Sequence, residues 1–132
     1  VTSQLEQMIV LDALIANEDR HWGNFGALRD SESLEFIGLA PVFDNGNSLG
    51  YKAASVRRNR NADVSIAFNK THTLELKHVS SVVKVDWDGI INRCMEIVEH
   101  RYNQLVEPEF GMDRAHMIGQ LIQERAKKLK TF

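Results

Sequence analysis

The chain has a single cysteine, no long apolar run and little net charge, and each shortage excludes a class of protein. Cys94 alone cannot form an internal disulfide, and a lone thiol suits the reducing cytoplasm, where we expect the protein to reside. No stretch approaches the ~20 apolar residues of a membrane-spanning helix, so we expect no membrane association. A net charge of -2 argues against direct nucleic-acid binding by bulk electrostatics.

The rest of the composition is ordinary for a globular domain. Of 132 residues, 43% are hydrophobic and 26% are charged, which predicts one domain over residues 1–132 with a core of its own. The chain begins at Val1 rather than Met, and we therefore expect it to be part of a longer protein.

Apolar periodicity predicts a mainly helical fold with one small β-hairpin. The run from Leu5 to Ala16 is almost wholly apolar on every face, which predicts a helix buried on all sides. Ser3 followed by Glu6 is the pattern of a capping box at its start. Short apolar runs at residues 25–28 and 34–39 flank a polar spacer and predict the hairpin.

Two amphipathic helices are predicted in the C-terminal part of the chain. Apolar residues recur at helical spacing from Trp87 to Leu105, and Glu107-Pro108-Glu109 ends that helix. A last helix carries one buried face, formed by Ala115, Ile118, Leu121, Ile122, Arg125 and Leu129. Cys94 lies on the apolar face of the first of these helices, which predicts a core residue and not a reactive thiol. Trp22 and Trp87 are expected to pack rather than to act as platforms for nucleobases.

The most informative feature is a pair of polar segments on either side of the predicted hairpin. Asp19 stands five positions before Asn24, and Asp44 follows the hairpin within the segment PVFDNGNSL. Phosphoryl-transfer sites use this spacing: one Asp orients a hydroxyl, while an Asn and a second Asp hold Mg²⁺. The hairpin is expected to fold Asp44 back towards Asn24, and Asn45-Gly46-Asn47 to supply the backbone freedom for the turn that follows.

These segments resemble the catalytic loop and the metal-binding loop of HipA-like serine/threonine kinases, which have a protein-kinase-like fold. The matching residues are Asn17, Asp19, His21 and Asn24, then Pro41, Phe43 and Asp44. A motif of phosphatidylinositol kinases is also similar to Asp19, Arg20, His21 and Asn24. The resemblance implies the C-terminal lobe of a kinase, with ATP and Mg²⁺ as cofactors.

The resemblance also implies roles for single residues. Asp19 is the expected catalytic base, and Asn24 and Asp44 are the expected ligands of Mg²⁺ and thereby of the nucleotide. All three also have a structural alternative, because Asp and Asn commonly form caps and turns. A metal-dependent hydrolase using Asp19, His21 and Asp44 is a further alternative, but the usual clustering of histidines is absent.

Three neighbouring residues have two readings each. Arg20 is grouped with the catalytic residues because it can neutralise phosphate charge, or it pairs with Glu18 or Asp44. His21 contacts phosphate or braces the loop by hydrogen bonding. Asn17 is grouped with the cofactor-binding residues, or it caps the preceding helix.

The sequence lacks the elements with which kinases cover the nucleotide. No glycine-rich run and no strand lysine precede the first motif, since thirteen residues come before Leu14. In kinases these elements belong to the N-terminal lobe. We therefore expect transfer of phosphate from Mg-ATP to a protein Ser or Thr hydroxyl only in the presence of that lobe, and an inactive chain without it. The alternative is a non-enzymatic module, derived from a kinase lobe, that binds a partner protein.

Two further expectations concern partners. The resemblance implies a toxin–antitoxin or regulatory setting with a small DNA-binding partner. From Tyr51 to about Ser80 the apolar pattern weakens, which predicts a solvated loop. Its basic run, Lys52 to Arg60, occupies the place of a kinase activation segment and either receives an acidic peptide, a phosphorylated residue or an RNA-bearing substrate, or is simply solvated.

Overall fold

The computed structural model describes residues 2–52, 71–80, 86–105 and 108–132, with side chains described for all of these except residues 2 and 101–113. These parts are mainly helical, with one antiparallel hairpin, as the periodicity predicts. They comprise helices α1 (Thr2–Ile15), α2 (His72–Leu76), α3 (Trp87–Leu105) and α4 (Pro108–Lys130), and strands β1 (Ala27–Arg29) and β2 (Phe36–Leu39). No helix among the described residues is long and apolar enough to cross a membrane.

The core forms where α1 packs against α2 and α4, and where α3 packs against α4. Residues 8–16 at the C-terminal end of α1 are buried or half-buried, so burial on all sides is confirmed in part for that half of the helix. Ser3, Gln4 and Gln7 near its start are exposed. The buried apolar cluster contains Ala13, Leu14, Ala16, Leu76, Trp87, Val98, Ala115, Ile118, Leu121, Ile122, Ala126 and Leu129.

Helix α3 has the predicted bounds, and the described parts of both C-terminal helices have most of the predicted faces. α4 begins at Pro108, a residue favoured in the first helical turn because it has no N–H group to leave unsatisfied. All six α4 residues expected inside are buried, and so is Trp87 of α3. Ile97 of α3 follows the same helical spacing and is expected on the buried face, but this prediction is wrong, because Ile97 is 54% exposed. The contact face of α3 is therefore narrower than its apolar period indicates.

The hairpin holds the segment that enters it and the segment that leaves it side by side. Ala27 pairs with Leu39. The N–H of Ala40 donates to the carbonyl of Gly26 at 2.8 Å, which extends the pairing by one step beyond the strands. The polar segment that ends at Gly26 and the one that starts at Ala40 therefore emerge together.

At the other end of the hairpin, Asp30 organises the turn. Its Oδ1 accepts hydrogen bonds from the N–H groups of Ser33 and Glu32, at 2.8 and 3.0 Å. These backbone hydrogen bonds, that of Ser33 first, hold the pKa of Asp30 below its ordinary value of 3.8. Leu34 completes the turn with a φ of 59°.

Two predictions of local structure are wrong. Because α1 begins at Thr2, Ser3 lies inside its first turn, and Glu6 accepts hydrogen bonds from the N–H and hydroxyl of Ser80 instead of completing a capping box. The supposed loop up to Ser80 contains α2, whose first turn is capped by the hydroxyl of Thr71. A helix of five residues is stabilised by packing against α1 and not by propensity. It is also too short to show a helical period in the sequence.

Candidate functional site

The first polar segment starts at a tightly ended helix. Ala16 has a left-handed φ of 52°, and the N–H of Asn17 donates to the carbonyl of Asp12 at 3.0 Å, the long-range bond of a Schellman motif. A glycine would adopt this conformation with less strain. The chain turns sharply here into residues 16–26, which we name the first loop.

Contacts with the end of α1 also place the segment after the hairpin, residues 40–50, which we name the second loop. The N–H of Leu49 donates to the carbonyl of Ile15 at 2.7 Å. From α4, Nε of Arg125 donates to the carbonyl of Ala13. Carbonyls that a helix end would otherwise leave unsatisfied thus bind the second loop and α4 to the base of the first loop.

Arg20 joins the two loops through all five N–H groups of its guanidinium. Nε and Nη2 each donate to one carboxylate oxygen of Asp12, both at 2.8 Å. Nη1 donates to the carbonyls of Asn24 and Phe43, both at 2.8 Å, and Nη2 also donates to Oδ1 of Asn45. Arg20 is 2% exposed. Every N–H group of Arg20 thus donates to an oxygen of the protein, so Arg20 braces the two loops. In this arrangement it has no N–H group left to donate to a phosphate.

Asp12 is a residue of this site that the sequence analysis missed. It is 2% exposed and accepts a hydrogen bond from Nδ2 of Asn17 at 2.9 Å in addition to those from Arg20. A signal was present: Asp12 is the one charged residue between Glu6 and Glu18, and Arg20 is the first basic residue of the chain. A carboxylate on a helix buried on all sides requires a buried cation as partner.

Three asparagines hold Asp19. Its N–H donates to Oδ1 of Asn17 at 3.2 Å, its carbonyl accepts from Nδ2 of Asn24 at 2.8 Å, and its Oδ2 accepts from Nδ2 of Asn47 at 2.6 Å. Within the described residues no hydrogen bond reaches Oδ1. Asn17 is itself fully buried, which supports its structural reading over contact with a cofactor. Asp19 therefore has a fixed backbone and one carboxylate oxygen left for a further proton donor.

Asn24 and Asp44, the expected metal ligands, come from different loops whose backbones meet at Asn24 and at the residue before Asp44. Nη1 of Arg20 is 2.8 Å from the carbonyl oxygen of Asn24 and 2.8 Å from that of Phe43, the residue before Asp44. These two carbonyl oxygens are therefore no further apart than twice this distance. The structure thus brings the backbones of the two loops together at Asn24 and Phe43, while the shared metal site of Asn24 and Asp44 stays a prediction.

Both residues keep side-chain oxygens available. Asn24 uses Nδ2 for the carbonyl of Asp19, while no described residue donates to its Oδ1. Asp44 is exposed, and no hydrogen bond to its carboxylate arises from the described part of the chain. Its φ of 54° is uncommon for a residue other than glycine, and such conformations occur often at functional sites.

These donors fit Mg²⁺ by their chemistry. Mg²⁺ prefers oxygen ligands and commonly takes one or two from the protein, with phosphate and water completing its shell. Oδ1 of Asn24 and the carboxylate of Asp44 are such ligands. The described residues contain no group of three or more His, Cys, Asp or Glu side chains that could hold a metal by themselves.

His21 braces the loop in this structure. It caps the short 3₁₀ helix Trp22–Asn24: its Nδ1 accepts the N–H of Gly23 at 3.1 Å, and its carbonyl accepts the N–H of Asn24 at 2.9 Å. An Nδ1 that accepts a hydrogen bond assigns the ring proton to Nε2 in this arrangement. His21 is exposed, so the ring that braces the loop is also accessible to solvent.

The prediction for Asn45-Gly46-Asn47 is wrong in its reason. The left-handed conformations of the second loop occur at Asp44, Leu49 and Gly50, with φ of 54°, 55° and 61°. The two asparagines use their side chains instead: Asn45 accepts from Arg20, and Asn47 donates to Asp19. The chain does turn at Gly46 and Asn47, as predicted, but the asparagines serve as contacts with the first loop.

The remaining sequence predictions divide between the core and the surface. Packing is confirmed for Trp87, which is buried, and wrong for Trp22, which is 78% exposed and contacts Phe25 at 5.6 Å between ring centroids. Cys94 packs against the core, and burial raises the pKa of its thiol. Of the basic run from Lys52 to Arg60, all but Lys52 lies outside the described residues.

Exposed apolar side chains lie on the hairpin and on the two loops of the site. Several large side chains of the hairpin and the two loops are more than a third exposed: Trp22, Leu28, Leu34, Phe36, Ile37, Val42 and Phe43. Next to them, a cleft of about 310 Å³ is lined by Leu5, Met8, Ile9, Trp22 and Phe25, with Asp12 and Arg20 among its polar contacts. Apolar surface of this kind often marks a region that another protein part covers.

Comparison with known proteins relates part of the chain to a kinase. Over 49 residues, 37% of this chain, it is 49% identical to the serine/threonine-protein kinase CtkA of Helicobacter pylori. The matched segment is 15% of the length of that kinase. No protein-family model matches the chain, and no solved structure matches it. The chain therefore has a partial relation to a serine/threonine kinase.

Proposed function

We propose that the chain is the catalytic-loop-bearing, C-terminal lobe of a HipA-like kinase and takes part in phosphoryl transfer from Mg-ATP to a protein Ser or Thr hydroxyl. The observation that carries the proposal is the bridge of Arg20 between the carbonyls of Asn24 and Phe43. It joins the two motifs at Asn24 and at the residue before Asp44, and the side chains of Asn24 and Asp44 have oxygens available for a metal. The partial identity with a serine/threonine kinase supports the same class of reaction.

In this proposal the residues of the chain position the reactants and help to neutralise the charge of the phosphates. Oδ1 of Asp19 accepts a hydrogen bond from the attacking hydroxyl and orients it, with proton acceptance completing the transfer. Asn24 and Asp44 would hold Mg²⁺, which would supply positive charge to neutralise the phosphates of ATP. Arg20 and Asp12 act one layer deeper, because they hold the loops and do not touch the reactants.

The proposal includes a second lobe. The described residues provide ligands for the metal but no glycine-rich cover for the phosphates, which kinases supply from an N-terminal lobe. The exposed apolar side chains of the hairpin supply a surface for such a lobe. The cytoplasmic setting stays a prediction from the single cysteine, and the toxin–antitoxin context and the small DNA-binding partner stay predictions from the resemblance.

The exposed apolar side chains of the hairpin favour a second candidate, a non-enzymatic module that binds a partner protein. Phe36 and Ile37 are 62% and 67% exposed on the hairpin and have no role in phosphoryl transfer. The intact set Asp19, Asn24 and Asp44 favours the enzyme, because a binding module has no use for oxygens left available in this way.

A phosphate-transfer assay separates the two candidates. In a longer protein that joins this chain to an N-terminal kinase lobe, Asp19→Ala is expected to lower the rate by about 10²–10⁴-fold, the usual range for losing a positioned base. Thermal unfolding of the variant checks that the fold is intact. Transfer at the wild-type rate by a folded Asp19→Ala variant would remove Asp19 from the mechanism and favour the binding module.

A further inference from the structure

Asp19 has one degree of freedom that its backbone contacts do not fix. Its N–H is bonded to Asn17 and its carbonyl to Asn24, at 3.2 and 2.8 Å, so the main chain at this position is held on both sides. Neither contact determines how the side chain rotates about χ1. The direction of the carboxylate must therefore come from a contact with the carboxylate itself.

The second loop provides that contact through Asn47. Nδ2 of Asn47 donates to Oδ2 of Asp19 at 2.6 Å, slightly shorter than the usual N–H···O hydrogen bond. Asn47 is held in turn, because its carbonyl accepts the N–H of Glu18 at 3.0 Å. Asn47 is thus hydrogen-bonded to the first loop twice, through its backbone to Glu18 and through its side chain to Asp19.

We propose that Asn47 is the positioning residue of Asp19: it occupies Oδ2, selects one rotamer of the carboxylate, and leaves Oδ1 as the oxygen that meets a substrate hydroxyl. This inference rests on the proposed function for its consequence in catalysis, but the rotamer itself does not depend on any activity. The hydrogen bond changes the population ratio of rotamers by roughly ten- to a hundred-fold, as expected for a bond to a charged group.

The isosteric variant Asn47→Asp tests the inference in the whole chain. It keeps the size of the side chain, replaces the donor with an acceptor, and sets a second carboxylate against Asp19. Three-bond couplings from Cγ of Asp19 to its backbone nitrogen and carbonyl carbon measure χ1 by NMR. We expect couplings of a single rotamer in the wild type and averaged couplings in Asn47→Asp, while most backbone resonances keep their positions.

Two further variants complete this experiment. Asn92→Asp makes the same chemical change at an exposed position of α3, and we expect it to leave the couplings of Asp19 unchanged. Asn47→Ala removes the donor without adding charge, and we expect averaging there too, which keeps the test decisive if Asn47→Asp does not fold. Couplings of one unchanged rotamer in Asn47→Ala would overturn the inference.

A kinetic arm separates this inference from the proposed function. With an N-terminal kinase lobe present, we expect Asn47→Ala to lower kcat by about 10²-fold, as a misplaced reacting group does, and to leave KM for ATP within about twofold. A folded Asn47→Ala variant with wild-type kcat would contradict the positioning role. A wild-type protein that transfers no phosphate would instead contradict the proposed function, and the NMR result would decide the rotamer question by itself.

Discussion

Removing the carboxylate of Asp12 is expected to destabilise the whole domain, because Arg20 would remain as a buried cation. Asp12 and Arg20 are each 2% exposed, and two nitrogens of the guanidinium donate to the carboxylate at 2.8 Å. Asn17 would lose an acceptor as well. Breaking a buried pair from one side costs about 3–5 kcal/mol. That is a large fraction of the ~5–15 kcal/mol by which a domain of this kind is stable.

Urea unfolding followed by far-UV circular dichroism measures this loss in Asp12→Ala. The chain offers a matched control in Asp88, which accepts a hydrogen bond from Lys130 at 2.6 Å but has a side chain that is 80% exposed. Asp88→Ala removes an ion pair of similar length and should change the free energy of unfolding by no more than about 1 kcal/mol. If Asp12→Ala costs no more than Asp88→Ala, Arg20 is not a buried brace and the reasoning about the loops fails.

Replacing both members of the pair separates folding from the joining of the loops. A variant with Asp12→Leu and Arg20→Met has no buried charge, so we expect it to recover most of the stability lost in Asp12→Ala. The carbonyls of Asn24 and Phe43 would still lose their shared donor. Hydrogen exchange at the amide of Glu18, which donates to the second loop, should therefore be faster than in the wild type even where stability is restored. Wild-type exchange at Glu18 in this variant would show that the loops meet without Arg20.

Three further predictions concern the chain as a whole. Without an N-terminal lobe, millimolar Mg-ATP should raise the melting temperature by less than about 2 °C, because two protein ligands bind Mg²⁺ weakly; calorimetry showing a large increase would mean that the chain binds the nucleotide unaided. Cys94 should react with iodoacetamide more slowly at pH 8 than a free cysteine, since burial raises the pKa of its thiol, and equal rates would contradict core packing. The lowered pKa of Asp30 contributes stability above its ordinary value of 3.8 that is lost as the pH falls through the folded value, so the destabilisation by Asp30→Asn should be present at pH 6 and shrink below pH 3.8 in urea titrations.

The periodic elements could be predicted from the sequence because burial repeats along them. The face of α4 follows from apolar residues at helical spacing, and the hairpin follows from two short apolar runs around a polar spacer. Helix α2 could not be found in this way, since a helix of five residues shows barely more than one turn of pattern. Ile97 was misplaced because period alone does not tell how wide the contact face is.

The site divides in a similar manner. Spacing and residue type selected Asp19, Asn24 and Asp44, because ligands and bases must be particular side chains. The supporting contacts were not visible, since they join residues far apart in the chain: Asn47 lies 28 positions from Asp19, and Arg20 lies 23 from Phe43. Only the lone acid Asp12 in an apolar helix carried a recognisable signal for this layer.

Paramagnetic broadening by Mn²⁺ tests whether Asn24 and Asp44 hold one metal ion between the two loops. Mn²⁺ takes the oxygen ligands that Mg²⁺ takes, and it broadens amide signals near it even when binding is weak. With Mn²⁺ and ATP added to the ¹⁵N-labelled chain, we expect signals flanking Asn24 and Asp44 to broaden together. Asp44→Ala should abolish the broadening around Asn24, while Asp88→Ala should leave it unchanged. Broadening that follows one loop alone, or that persists around Asn24 in Asp44→Ala, would contradict the account.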